Sequence, residues 1–404
     1  MIDQVSFTNF KSLRRVDADL RRFMVVVGPN GSGKTSLLDG LEYLALALHM
    51  PLEVLFSGVF APPNLLSRGA DGPMRLALSC RVAGVAAAVD VVISCEDNVG
   101  STWSASVMER LGEKETRHTE TDAGPVPAGS PSRTNPRLAP PPPPSPSPMT
   151  LQDRAALARG LGPVRKLRLD VQRLAAPSYS DQETPRLGMD GEGLASVLAD
   201  LAGGSPDIFQ SIQDIASQII PTLARIRTRR AKVQERYQQE IRIDDEPLTR
   251  TVERTHWGQQ VVLDFKGAPD VPAPLASEGT LLVIGLLTAL LTEPRPRLLL
   301  LDDIDKALHP RAQRELVAQL RGVLARDPEL QIIATSHSPY MLDHFDPQDV
   351  LVTALRPDGS TACAPLTAHP DFNRWKNTTE SGELWSFLGD DWVAEQPIPE
   401  PEQG

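Results

Sequence analysis

Lys34 and Thr35 stand at the end of a glycine-rich run, Gly28-Pro29-Asn30-Gly31-Ser32-Gly33, and Ser36 follows them. The spacing fits G-x-x-x-x-G-K-[ST], in which backbone N–H groups curl around a polyphosphate; side chains at Gly31 and Gly33 would obstruct that approach. In such a loop Lys34 reaches the β- and γ-phosphates as a point charge, and Thr35 offers its hydroxyl to Mg²⁺. The helix beginning near Ser36 aims its positive end at the anion. A second group of residues closes the apolar run RLLLLDD, Arg297 to Asp303. Asp302 sits where a nucleotide-bound Mg²⁺ needs a hard oxygen ligand, and Asp303 where a carboxylate can orient or deprotonate an attacking water.

Two further groups narrow the chemistry. Ser277, Glu278 and Gly279 open the long apolar stretch LASEGTLLVIGLLTALL. Ser277 is a good N-cap, and the amides beside it can hold a γ-phosphate; an ordinary capped core helix is the alternative. In QIIATSHSP, residues 331 to 339, the tip of an apolar strand presents Ser336 and His337. His337 there can sense a γ-phosphate or steady a water, or simply hydrogen-bond at the strand end.

Elements must hold these groups. Phe23 to Val27 reads as a buried strand running straight into the glycine loop, with the helical LLDGLEYLALAL after it. Ile2, Val5 and Phe7, then Val16, Ala18 and Leu20, have the period of two short strands, an antiparallel layer beside the loop strand. Met74 to Val82 and Val85 to Ser94 read as another strand pair. Asp122 to Met149 is dominated by proline and serine and predicts a disordered or polyproline linker. Helical periodicity returns from Leu151, clearest in LASVLADL and in Asp207 to Ile220, and Val261 to Phe265 is a short strand. Arg225 to Arg242 holds the densest positive charge. It reads either as a strip contacting nucleic-acid phosphates or as a solvated hairpin or helix surface, and no aromatic platform accompanies it in sequence. The expected division is 1–121, the proline-rich 122–150, a mainly helical inserted lobe 151–250, the second half of the head 251–394, and a disordered tail 395–404.

The chain has 404 residues, 41% hydrophobic and 23% charged, which is a globular composition with room for two or three domain-sized units. A net charge of −11 announces no nucleic-acid partner, so any such surface must be a local basic patch. Cys80, Cys95 and Cys363 have neither metal-ligand spacing nor even pairing, which suits a reducing compartment. No apolar run approaches a membrane span and no signal-peptide pattern is present; the expectation is a cytoplasmic protein without membrane contact.

In this order, the phosphate loop, the S-E-G-T helix start, LLLLDD with His309-Pro310 beyond it, and ATSHSP resemble an ABC-type ATPase head of the branch that includes SMC and RecF proteins. The chain is most similar to stand-alone bacterial AAA-type ATP-binding proteins related to the OLD ATPases, an impression shared by FTNFKSLRRVDADL at its start and GELWSFLGDDW near its end. The resemblance implies an α/β P-loop NTPase fold with a mostly parallel central sheet, an antiparallel β layer and an inserted α/β lobe. It implies ATP and Mg²⁺ as cofactors, with Gly28 to Ser36 on the phosphates, Asp302 on magnesium with Thr35, Asp303 in the place of the catalytic base and His337 as the switch histidine. Ser277, Glu278 and Gly279 match the signature motif, which completes the nucleotide site of an opposite subunit, and Asp305 to His309 correspond to a loop near that seam. A head-to-tail homodimer is therefore implied, with two nucleotides sandwiched and closure gating a partner nuclease or effector in DNA repair or phage defence.

The sequence also departs from that pattern. Asp303 is one methylene shorter than the usual glutamate, which implies slow hydrolysis and a long-lived closed dimer. No heptad run provides an SMC-type coiled coil, and no clustered acidic motif follows His337 as in the nuclease of OLD proteins. The alternatives are an ATP-locked scaffold that regulates a nuclease or toxin, and a DNA-binding clamp.

Overall fold

The computed structural model describes residues 1–95, 103–121, 124–125, 147–243, 246–376 and 378–396. The proline-rich linker predicted for 122–150 lies outside these residues except at its edges, as does the tail from 397. The chain forms two compact units, the first comprising Met1–Lys166, Pro296–Ile304 and Leu324–Gly404, the second Leu167–Arg295 and Asp305–Val323. These bounds differ from the expected 151–250 lobe: residues 151–166 fold with the phosphate loop, and 251–295 with the second unit.

Two sheets build the first unit. One has six strands in the order Thr361–Pro365, Val350–Leu355, Phe23–Val27, Gln331–Ser336, Leu298–Leu301 and Val164–Leu167. The loop strand is parallel to both of its neighbours, and Leu298–Leu301 is parallel to Gln331–Ser336; Thr361–Pro365 runs antiparallel at the edge. Strands buried on both faces read as unbroken apolar runs, which is why FMVVV and LLLL are buried at every position.

The other sheet has seven strands, Leu13–Asp19, Ile2–Phe10, Met74–Val82, Val85–Cys95, Trp103–Leu111, Lys114–Thr121 and Gly124–Pro125, all antiparallel to their neighbours. Its strands alternate, so Val5, Phe7, Leu76, Leu78, Val89 and Val91 face one core that also takes Leu37, Leu41 and Leu44 of the helix Lys34–Leu46. Gly40 admits this approach: a Cβ there would lie 2.5 Å from the Phe7 ring. The layer is larger than the four strands expected, because Lys114–Thr121, KETRHTET, has no apolar period to announce it and is held by pairing with Trp103–Leu111.

The second unit contains the helices Leu194–Gly204, Pro206–Ile219 and Glu278–Leu291 and a three-stranded antiparallel sheet, Leu223–Ile243, Glu246–Phe265 and Ala268–Pro272. The first two of these strands, 21 and 20 residues long, pair as a hairpin that at the usual rise would extend about 65 Å. Within the expected lobe 151–250 the helices Leu151–Leu161, Val171–Ala175, Leu194–Gly204 and Pro206–Ile219 are accompanied by the hairpin, and the expected short strand Val261–Phe265 is the base of its second arm. Thr, Val, Ile and Trp at intervals along RIRTRRAKV and TVERTHWGQQVVLDF favour extended chain over helix.

Candidate nucleotide site

In the first unit the loop from Gly28 to Gly33 joins the end of the buried strand to the helix Lys34–Leu46. Gly28, Gly31 and Gly33 all have positive φ, at 146°, 81° and 97°. Their glycines answer to different demands. A Cβ at Gly28 would lie 2.1 Å from the Thr353 carbonyl oxygen and one at Gly33 2.1 Å from Thr361 Oγ1, whereas nothing stands within 4 Å at Gly31. Obstruction of a ligand, the reason given above for Gly31 and Gly33, is therefore incomplete. The loop is pressed onto the two strands beside it, and Gly31 serves the turn's handedness.

Polar contacts fix the loop from below. Ser32 Oγ lies 2.6 Å from Thr353 Oγ1, which donates to the Val27 carbonyl at 2.9 Å. Lys34, buried, donates from Nζ to the carbonyls of Gly28 and Pro29 at 2.9 and 2.8 Å. Pro29 and Asn30 form the exposed outer side of the turn, and Ser36 lies in the first turn of the helix.

Strand order explains the next contacts. The strand ending in Ser336 lies between the loop strand and the strand that leads to Asp302. Thr335, near its tip, therefore faces both sides' chemistry: its Oγ1 donates to Asp302 Oδ1 at 2.9 Å and accepts from the Asp303 amide at 2.8 Å. Thr35 Oγ1 donates to the same Asp302 carboxylate at 3.2 Å. Asp303 has a φ of 56°, a left-handed conformation tolerated by aspartate, and its Oδ1 lies 3.7 Å from His337 Nε2. Thus Lys34, Thr35, Asp302, Asp303 and His337 are brought together within one unit. Thr335 escaped the sequence reading, although a hydroxyl in an otherwise apolar strand end was its visible trace.

Asp390 was missed as well. Burial pushes its carboxyl above the usual carboxylate range, while Trp385 Nε1, donating at 2.6 Å, and the nearby charge of Lys34 oppose the rise.

A hydroxyl and a carboxylate 3.2 Å apart, both hard oxygen donors, suit Mg²⁺, which keeps several waters and shares phosphate oxygens. Among the described residues no cluster of three or more His, Cys, Asp or Glu side chains could hold a metal ion, so such an ion would depend on a nucleotide for further ligands.

Ser277, Glu278 and Gly279 belong to the second unit. Ser277 caps the helix Glu278–Leu291, its Oγ accepting from the Thr280 amide at 3.3 Å, and Ser277 and Glu278 are exposed. Gly279 is buried: a Cβ there would lie 2.6 Å from the Ala307 carbonyl oxygen. Its glycine is thus required by packing on the loop that follows Asp305.

Two family models match the sequence. One, described as "AAA ATPase domain", matches residues 1–51, which contain the phosphate loop. The other, described as "AAA domain, putative AbiEii toxin, Type IV TA system", matches residues 157–343, which contain Ser277, Asp302 and His337. No curated protein matches the sequence. Among solved structures, the chain is similar to an Smc head bound to the C-terminal winged-helix domain of ScpA, with a TM-score of 0.51 at 14% identity, covering 92% of this chain and 99% of that one. A Pyrococcus furiosus Smc head with an extended coiled coil, bound to the C-terminal domain of ScpA, gives a TM-score of 0.48 at 10% identity over 93% and 99% of the chains. With AAA models on both segments of the site and the sheet order described above, the chain has the α/β P-loop fold found in the Smc head.

Proposed function

We propose that the protein binds and hydrolyses ATP with Mg²⁺ and that nucleotide-driven pairing of two copies gates the activity of a partner, in a reducing cytoplasm. The observation that carries this reading is the chain of contacts from Thr35 through Asp302 and Thr335 to Asp303 and His337. Lys34 Nζ would exchange the Gly28 and Pro29 carbonyls for phosphate oxygens, and Thr35 with Asp302 would hold Mg²⁺. The bound ion would neutralise charge on the phosphates. Asp303 would accept the proton of the attacking water, with His337 steadying that carboxylate.

The partner copy enters through Ser277, an exposed helix N-cap beside Leu275, which is itself 77% exposed. A capped helix start with free amides suits a γ-phosphate presented by another chain. The AbiEii description of the family model over 157–343 supports a role in defence, and the Smc head bound to ScpA at a TM-score of 0.51 supports a protein partner as effector. The test is hydrolysis measured against protein concentration: specific activity should rise with concentration, and a flat dependence at nanomolar protein would contradict pairing.

One observation favours a second reading, a slowly hydrolysing scaffold: the short Asp303 side chain lies 3.7 Å from His337. Asp303→Glu should raise turnover if the native site is tuned slow, and lower it if the aspartate is the fitted base.

A further inference from the structure

The hairpin of the second unit carries what the basic strip lacked in sequence. RIRTRRAK, residues 225–232, places five cations and no carboxylate in eight residues of a chain whose net charge is −11. Folding sorts them. Arg227 is neutralised, donating to Asp264 and Asp270 at 2.6 to 2.9 Å. Arg230 and Lys232 are not used in this way: both are exposed, and no described carboxylate forms an ion pair with either.

What faces them instead is Trp257 from the opposite arm. Lys232 pairs in register with Trp257, and Arg230 with Gln259, so alternation puts Arg230, Lys232, Trp257 and Gln259 on one face. Arg230 Cζ lies 5.2 Å and Lys232 Nζ 5.7 Å from the indole centroid. Trp257 is nevertheless 60% exposed, an unusual position for so large an apolar surface. Its register neighbours on this face, Thr228, Gln234, Thr255 and Gln259, are neutral; Glu253 lies farther out along the arm.

We infer that this face binds single-stranded nucleic acid, one base lying on the Trp257 ring and the flanking phosphates on Arg230 and Lys232. Cations alone would suit any polyanion. An exposed indole between two of them adds a flat apolar surface that matches an unstacked base, which a duplex does not offer. The inference uses the second unit alone and does not depend on the nucleotide site, so failure of either leaves the other standing.

The experiment is fluorescence anisotropy of the full chain with labelled oligo-dT and oligo-U single strands of thirty nucleotides, a duplex of equal length and a poly-glutamate peptide. The single strands should bind most tightly. Trp257→Ala should weaken them by about tenfold, the loss of one base stack, with Trp257→Phe retaining most of the affinity. Arg230→Glu with Lys232→Glu should also weaken binding and flatten its dependence on salt by about 1.4 in the logarithmic slope, two phosphate contacts' worth. Each variant changes exposed side chains, and an unchanged circular dichroism melt confirms that the hairpin is intact. The inference is overturned by absence of single-strand binding at low salt, by binding indifferent to Trp257→Ala, by a duplex bound as tightly as the single strand, or by poly-glutamate competing through Trp257.

Discussion

The residues around Lys34 and those around Ser277 make an instructive contrast. In the first unit every proposed chemical group is restrained by its own chain: Lys34 by two carbonyls, Asp302 by two threonine hydroxyls, Asp303 by an amide contact and a left-handed backbone. In the second unit the restraint is confined to the helix start, where Ser277 Oγ accepts from the Thr280 amide and lies 2.6 Å from Thr280 Oγ1. Ser277 caps its helix and Gly279 is pressed onto Ala307, but the surface around Ser277 and Leu275 is exposed. A pre-organised half-site and an open helix start are what a composite pocket requires of each copy, because electrostatic stabilisation is strongest where donors are fixed before the reaction.

The sharpest way to break this contrast is Ser277→Arg. It should lower ATP turnover by roughly a hundredfold, the scale of losing fixed donors at a developing charge, while ATP affinity of the isolated chain stays within about twofold. Steady-state kinetics beside a binding titration separates the two, and unchanged turnover would remove Ser277 from the site. Thr335→Val tests the other half. Losing the hydroxyl that joins Asp302 to the Asp303 amide should cost roughly tenfold to a hundredfold in turnover, as for other groups that orient a metal ligand, with the Mg²⁺ concentration for half-maximal rate shifted upward.

Gly33→Ala places a Cβ where Thr361 Oγ1 lies at 2.1 Å, on a backbone with φ of 97°. Thermal unfolding should show a loss of roughly 1–3 kcal/mol even without nucleotide, because the loop's glycine is demanded by the protein itself. A stability equal to the native chain's would mean that the flanking strands do not set the loop. Asp390→Asn should have the smallest effect. Burial holds the native carboxyl's pKa above its unfolded value, so its ionisation destabilises the fold, and stability falls as pH rises from about 4 through the raised value. Asparagine keeps an oxygen for Trp385 Nε1 and should raise the melting temperature slightly at pH 7 but not near pH 3.5; equal shifts at both would reject the assignment.

Much of this was legible in the residues, and the exceptions have physical causes. The loop strand, both DD-bearing and ATSHSP strands and the Ser277-capped helix follow from apolar runs meeting glycine, serine or aspartate at their ends. Periodicity also found the strand pairs around Phe7 and Leu76. Lys114–Thr121 was not readable, since an edge strand rich in Lys, Glu and Thr has no buried face. Arg225 to Arg242 stayed open between hairpin and helix because Arg-rich stretches suit both; only cross-strand pairing over twenty residues decides, and it brings Trp257 to Lys232 from 25 positions away. Thr335 became visible only when strand order placed it beside Asp302.

Mixing two crippled chains tests the shared pocket most directly. Asp303→Asn and Ser277→Arg should each be inactive alone, yet an equal mixture should recover roughly a quarter of native ATPase activity, because half of randomly paired dimers hold one pocket with both groups intact. A mixture as inactive as its components, with mixed dimers demonstrated by differential tagging, would contradict a site built from two copies.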